Sequence, residues 1–464
     1  MGPAVESSSK FFDLRGVTSY HISMSTKAVP KLTLFPLTAK ANKRGHLCIG
    51  DCDVVDLVEE FGTPLYLFDE STLRHKCREF REEFCRCYSD TLVIYASKAF
   101  LNRALALVLK EEGLGLDVVS GGELSIAHSV DFPMDKVYFH GNNKTPEELN
   151  LALDWGAGRI VVDNFYELRL LSKLARKRGV SQSILLRLTP GVDPHTHQYT
   201  TTGTIESKFG FPIATGQAEE AVNQALSASN LNLLGFHFHL GSPVPDVQPY
   251  ELAMELVLGF ARQVSQKFGF ELAEFDIGGG FAIPYTVDSE VPTITEYARA
   301  LTGKLSSLVS ELGLVSPRLV IEPGRAIVGQ AGVALYKVGA IKEIPGIGRY
   351  VCVDGGMSDN IRPALYGAQY EALVANKALE SERDTATIAG KLCESGDILV
   401  KDIKLAAVRP GDIIAIPVSG AYSIPMASNY NAMPRPAIVM VKAGRARLIR
   451  RRETHQDLMR LDLT

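Results

Sequence analysis

From residue 91 to residue 325, short apolar runs rich in β-branched residues alternate with longer amphipathic stretches, and this alternation restricts the possible folds more than any other feature. The short runs cover residues 92–98, 115–120, 136–141, 159–163, 183–189, 233–239, 274–278 and 318–322. Between them lie stretches such as 146–155, 166–178 and 218–229, which carry the spacing of helices with one apolar face. Strand followed by helix is the pattern of βα units on a parallel sheet. Eight such units predict a closed (β/α)8 barrel of the α/β class, here spanning residues 69–325, whose reactive side chains gather at the C-terminal ends of its strands.

Those ends are where the sequence collects its polar residues. Lys98 closes the first run, so a strand delivers an amine to its own tip. Partial burial and neighbouring cations would lower its pKa and free a nucleophile that condenses with an aldehyde such as pyridoxal phosphate. The plainer alternative is a strand that ends in solvent. Asp117 is either support for a cation or a turn former after Gly115; the second rim run then gives way to His140, Asn142 and Asn143. His239 offers a ring that stacks on a flat ligand or one that is hydrogen-bonded within a polar barrel layer, with Ser242 close behind it. Gly278, Gly279 and Gly280 suit close backbone approach to a phosphate, although an ordinary tight turn would use them too. Glu322-Pro-Gly324-Arg325 supplies a carboxylate for a protonated pyridine nitrogen and a guanidinium for an anion, or else a surface ion pair.

After residue 325 the helical period fades. Strand-like runs return at 333–338, 349–354, 386–390, 412–417 and 437–441, separated by turns bearing Gly and Pro. Residues 32–68 also read as short strands, at 45–50 and 64–68, around a helix at 53–61. A second, all-β domain built from both chain ends (32–68 and 326–464) is therefore expected, with Asp69 capping the long helix that enters the barrel. The basic run 445–452 is interleaved with apolar residues and reads as a charged strand face. Within this β module Arg362 and Tyr366 stand four apart, able to share a helical face. Cys393 lies beside Glu394 and Asp397, acids that would keep its thiol protonated and suit it to proton donation; a small core hydrophobe is the other reading. Tyr422 ends an apolar strand.

Composition excludes several classes. A chain of 464 residues with 46% hydrophobic and 22% charged content can bury a large core over two or three domains, and a net charge of −4 gives no reason to expect nucleic acid or a membrane surface. No run of about 18 apolar residues occurs. Seven cysteines, at 48, 52, 77, 85, 87, 352 and 393, are odd in number and lack paired CxxC spacing, so neither a disulfide framework nor a metal site is expected and a reducing cytoplasm fits best. Residues 1–31 read as a loose extension without a signal segment, and Met24 is an alternative start.

Assembled in order, Tyr95-Ala-Ser-Lys98-Ala, Asp117-Val-Val-Ser-Gly-Gly-Glu-Leu124, His239-Leu-Gly-Ser242, Gly278-Gly-Gly-Phe281, Glu322-Pro-Gly-Arg325, Arg362-Pro-Ala-Leu-Tyr366, Cys393-Glu-Ser-Gly-Asp397 and Gly420-Ala-Tyr422 resemble the fold-type-III pyridoxal-phosphate decarboxylases. The likeness runs from about residue 34 to 463 and is nearest to the branch acting on meso-diaminopimelate. It implies a TIM-like barrel with pyridoxal 5′-phosphate bound covalently at Lys98, His239 against its ring and Glu322 on its nitrogen. Asp117, Ser242, Gly278, Gly279, Gly280, Gly324, Arg325 and Tyr422 would complete the cofactor site; Arg325, Arg362, Tyr366, Glu394 and Tyr422 would hold substrate. Cys393 is implied as the proton donor to Cα, reaching the site from the second subunit of a head-to-tail homodimer. Arg362 and Glu394 suit the distal amino-carboxylate of diaminopimelate, whereas an arginine would repel the bare ammonium of ornithine. Ornithine and arginine decarboxylases share the cofactor residues, a racemase would offer a tyrosine as second base, and a non-catalytic relative would have lost Lys98 or Cys393. Two positions depart from the family pattern: Phe100, where Asn is common, and Pro243, where Gln is common and where a backbone donor is lost.

Overall fold

The computed structural model describes residues 30–193, 202–203 and 206–463, so the expected extension and the alternative start at Met24 fall outside the described residues apart from the last two positions. Of these, Lys31 is no loose end. It is buried, lies 3.3 Å from Glu371, and donates to the Lys404 carbonyl at 2.8 Å.

Eight parallel strands form the barrel: β1 (Thr91–Ala96), β2 (Gly115–Val118), β3 (Val137–Phe139), β4 (Arg159–Val162), β5 (Gln182–Thr189), β6 (Leu231–His237), β7 (Glu274–Asp276) and β8 (Arg318–Ile321). Neighbours in sequence are neighbours in the sheet; β8 pairs β1, and β4 pairs β5 to complete the circle. Each strand coincides with one of the runs read from the sequence, because a strand covered by helices on the outside and packed within must be apolar on both faces. Ile94, Tyr138, Val161, Leu185 and Val320 fill the interior. Arg159 and Glu274 open β4 and β7, and their ion pair closes the N-terminal floor, with the Tyr138 hydroxyl donating to the same carboxylate at 3.0 Å. Function is thereby left to the opposite rim.

The second domain is a mixed sheet that uses both ends of the chain. Leu65–Asp69 runs antiparallel to Gly332–Ile344 and parallel to Ala437–Lys442, and Arg445–Arg450 forms the charged outer edge. Alternation across Leu65–Asp69 explains why it is wholly buried: Leu65 and Leu67 pack with Val333, Leu335 and Val439, whereas Tyr66 and Phe68 face the other way into the core shared with the barrel. This strand ties the sheet to the C-terminal rim. Asp69 then caps the helix Glu70–Cys87 by accepting from the Thr72 amide. Among the described residues no helix is long and apolar enough to cross a membrane.

Candidate active site

At the rim, β1 stops at Ala96 and a single 3-10 turn, Ser97–Ala99, carries Lys98 over the barrel mouth. Its Nζ lies 3.4 Å from Asp117 Oδ2. Asp117 is no turn former: it sits inside β2 and is buried. Burial pushes the Lys98 ammonium down, but the Asp117 and Glu322 carboxylates outweigh it and raise its pKa above the ordinary lysine value. The expectation of a pKa lowered by neighbouring cations is thus overturned, since the strongest charges facing Lys98 are the Asp117 and Glu322 carboxylates, against which burial and Arg187 pull the other way. The reading of a strand end lost in solvent fails as well, because Lys98 lines a cavity of about 750 Å³ between the barrel and the β domain.

Glu322 follows β8 and is buried between two imidazoles, with Oε1 2.9 Å from His140 Nε2 and Oε2 3.6 Å from His237 Nε2. Burial drives this carboxyl up, yet the two histidines hold it well below the usual range, while its neighbour Asp276 is driven up by burial and by Glu322 itself. Glu322 and Arg325 do not form a surface pair. Both are buried, and Arg325 turns to other partners: Ser242 Oγ at 3.2 and 3.3 Å and the Tyr285 hydroxyl at 2.7 Å. The Arg325 guanidinium also lies 4.9 Å from the Tyr422 ring centre, and Tyr422 is held there by a left-handed backbone (φ 61°) and by its N–H, which donates to the Ala99 carbonyl at 2.8 Å.

Next to Lys98 a small recess is walled by glycine. A Cβ on Gly279 would stand 2.1 Å from the Glu322 carbonyl, and Gly280 adopts φ +108° with its absent Cβ 2.5 Å from the Gly241 carbonyl. The tight-turn reading is therefore incomplete, because a loop pressed this close to the Glu322 and Gly241 carbonyls leaves bare backbone facing the recess. The three amides are not equivalent. Gly278 donates to Asp276 Oδ1 at 2.9 Å and does not line the recess, Gly279 donates to His239 Nδ1 at 3.3 Å, and the amide of Gly280 has no acceptor among the described residues. Burial, then Lys98, keep the His239 imidazole well below its normal pKa, so a neutral flat ring faces the cavity.

The far end of the cavity belongs to Arg362. It is buried at the start of the helix Arg362–Tyr366, donates to the Tyr370 hydroxyl, stacks 4.7 Å from the Tyr285 ring centre, and has no carboxylate within ion-pair distance among the described residues. Tyr366 lines the same cavity. Burial would push the Tyr285 phenol up, but Arg325 and Arg362 on either side pull it below its ordinary value. A buried guanidinium with only phenols around it is a site for an anion from outside the chain.

Cys393 and Glu394 do not join this group. Both are exposed on a loop of the β domain, neither lines the cavity, and Glu394 does not meet Arg362 within one chain. The core-hydrophobe reading of Cys393 fails with its exposure. Asp397, expected to flank the thiol, is buried instead, where its carboxylate accepts from the Met357 and Leu392 amides at 2.6 and 2.8 Å and fixes the loop. Sequence reading passed over His237, Arg187, Tyr285 and Tyr370. His237 is two residues before His239 on one strand and Arg187 interrupts an apolar one, signals that a period-two count would find; nothing local marks the two tyrosines.

The donor set fits pyridoxal phosphate: an amine at Lys98, a flat neutral ring at His239, a bare amide and Ser242 at a glycine recess, and a Glu322 Oε1 that lacks an aligned hydrogen bond despite its close contact. Residues 70–329 match the family model described as pyridoxal-dependent decarboxylase, pyridoxal binding domain. The chain is 47% identical over 426 residues to the diaminopimelate decarboxylase of Bacillus subtilis (strain 168), covering 92% of this chain and 97% of that one. To the enzyme of the same name from Synechocystis sp. it is 44% identical, with 93% of each chain covered. The solved diaminopimelate decarboxylase of M. jannaschii in complex with L-lysine superposes with a TM-score of 0.87 at 36% identity, over 92% of this chain and 98% of that one.

Proposed function

Because the chain belongs to the diaminopimelate decarboxylases among the pyridoxal-dependent decarboxylases, we propose that it converts meso-2,6-diaminopimelate to L-lysine and CO2 as a carboxy-lyase of lysine biosynthesis. Pyridoxal 5′-phosphate, when bound, supplies the electron sink for the pair left on Cα as CO2 departs. Lys98 would hold its aldehyde through the side-chain amine. Glu322 would face the ring nitrogen, His239 would cover the ring, and Ser242, Gly279, Gly280, Gly324, Arg325 and Tyr422 would hold the phosphate. Asp117 keeps the Lys98 side chain aimed at the cavity through their 3.4 Å contact.

One observation carries the substrate assignment. The cavity that holds Lys98 and Glu322 at one end ends at Arg362, a buried guanidinium without a carboxylate partner among the described residues. Diaminopimelate brings a distal carboxylate to that position, and a guanidinium–carboxylate contact is bidentate and charge-assisted. Ornithine would bring an ammonium, which Arg362 repels. The proton that replaces CO2 on Cα is assigned to Cys393. Since that residue is exposed and outside the cavity of its own chain, the reading includes a homodimer in which Cys393 and Glu394 of one copy complete the site of the other. A cytoplasmic location belongs to the same reading, supported by seven cysteines that all remain as free thiols. The deciding experiment incubates the holoenzyme with meso-diaminopimelate, ornithine, arginine and lysine in turn and measures CO2. Release from diaminopimelate alone is expected, and a preference for ornithine would replace this reading with that of a sister decarboxylase.

A further inference from the structure

Glu322 reaches the site from the end of β8, but it does not stand there by itself. His140, just beyond β3, and His237, the last residue of β6, converge on it from two other strands, and all three side chains are buried. Glu322 Oε1 lies 2.9 Å from His140 Nε2 and Oε2 lies 3.6 Å from His237 Nε2, ion-pair contacts rather than aligned hydrogen bonds, and the two rings meet edge to face with centres 4.8 Å apart. We propose that His140 and His237 are positioning residues which clamp the Glu322 carboxylate in the orientation from which it meets the ring nitrogen of the cofactor, an inference that rests on the role given to Glu322 above.

The surroundings explain why a clamp is needed. Asp276 from β7 and Asp117 from β2 also face this position, and a carboxyl buried beside two other acids takes up a proton rather than remaining an anion. The nearby cations are committed elsewhere: Lys98 approaches Asp117 at 3.4 Å, and Arg187 lies 3.9 Å from Asp163 with its guanidinium against the Phe209 ring. Asp276, its own carboxyl driven up by burial and by Glu322, makes a side-chain contact with that residue, and the two imidazoles are the other groups that meet it. His237 is kept neutral by burial, its pKa lowered to about 3, so it can offer an N–H without adding a charge that would compete with the ring nitrogen. The partnership is the same in kind as the outer groups that orient metal ligands, where loss of a supporting partner typically costs about 10- to 100-fold in activity.

The test reads the ring nitrogen itself. Wild type, His140→Leu/His237→Leu, His140→Gln/His237→Gln and Glu322→Gln are each reconstituted with pyridoxal phosphate labelled with 15N in the ring, and the 15N chemical shift is followed against pH alongside cofactor affinity and kcat/KM. Wild type is expected to hold the protonated-ring shift through neutral pH. The double leucine chain is expected to bind the cofactor, move toward the unprotonated shift and lose at least about tenfold in kcat/KM, whereas the glutamine pair, which keeps an N–H donor at each position, stays nearer wild type. If the leucine chain keeps the protonated signal while Glu322→Gln loses it, the clamp is wrong and the role of Glu322 stands. If Glu322→Gln keeps it too, the role of Glu322 falls. Should the leucine chain fail to fold, single His140→Asn and His237→Asn substitutions, which shorten the reach to Glu322, carry the same expectation.

Discussion

Two side chains show how environment rather than identity sets behaviour in this site. Arg362 is buried with tyrosines and, among the described residues, no acid, so its charge is available to a ligand, and losing a charge-assisted contact worth roughly 1.5 to 3 kcal/mol should cost about tenfold to a hundredfold in kcat/KM. Arg362→Ala is expected to lower turnover of meso-diaminopimelate by that amount, with bound cofactor measured by absorbance staying near wild type; full retention of kcat/KM would remove Arg362 from the substrate site. His237 carries the opposite lesson. Its pKa falls from 6.5 to about 3 on folding, so the unfolded chain binds the extra proton between those values and stability is lost as pH falls through that window. Above pH 6.5 the contribution is fully present. Denaturant titrations at pH 7 and pH 4.5 are expected to show wild type losing on the order of 2 kcal/mol more than His237→Gln over that interval. An equal loss in both chains would mean that His237 titrates normally in the folded protein.

Loops that end the strands impose a different kind of constraint, in which space decides. The Gly278–Gly280 turn lies so close to its neighbours that a methyl on Gly279 would overlap the Glu322 carbonyl at 2.1 Å, and the loop cannot retreat without shifting the carboxylate that follows β8. Gly279→Ala is therefore expected to destabilise the fold by about 1 to 3 kcal/mol and to weaken cofactor binding in parallel, measured by thermal denaturation of the apoprotein and by titration with pyridoxal phosphate. A stable variant with normal affinity would show that the recess is not where the phosphate rests. Triple glycine after a strand was visible in the sequence, and so was its suitability for close approach. Which of its amides is free was not visible, because Gly278 is claimed by Asp276 at the end of its own strand and Gly279 by His239, which comes from beyond β6.

Across the whole molecule the proposed site residues are divided within one chain. Lys98 and Arg362 share a cavity, while Cys393 and Glu394 lie outside it on an exposed loop that Asp397 pins from within. If a second copy supplies those residues, mixing Lys98→Ala and Cys393→Ala chains, each inactive alone, should restore activity, since one site of a hybrid dimer is intact. About a quarter of wild-type activity is expected when subunits exchange freely in equal amounts and each site acts independently, as closed two-fold assemblies with repeated sites allow. No recovery between chains shown to exchange would mean that each site is complete within one chain.

The barrel, its polar rim and most of the residues gathered there were legible in the sequence, because short apolar β-branched runs, amphipathic helices and glycine turns are local patterns that survive without knowledge of the partners. Lys98, Asp117, His239, Ser242, Glu322 and Arg325 were found by counting to strand ends. Tertiary structure decided what those residues experience. Carboxylates from β2 and from the end of β8 raise the pKa of Lys98 where cations had been expected, and Tyr285, without any local mark, stands between Arg325 from the barrel and Arg362 from the β domain. Charge state and contact depend on distances across strands far apart in sequence, and those distances exist only once the barrel has closed and the β domain is packed over its mouth.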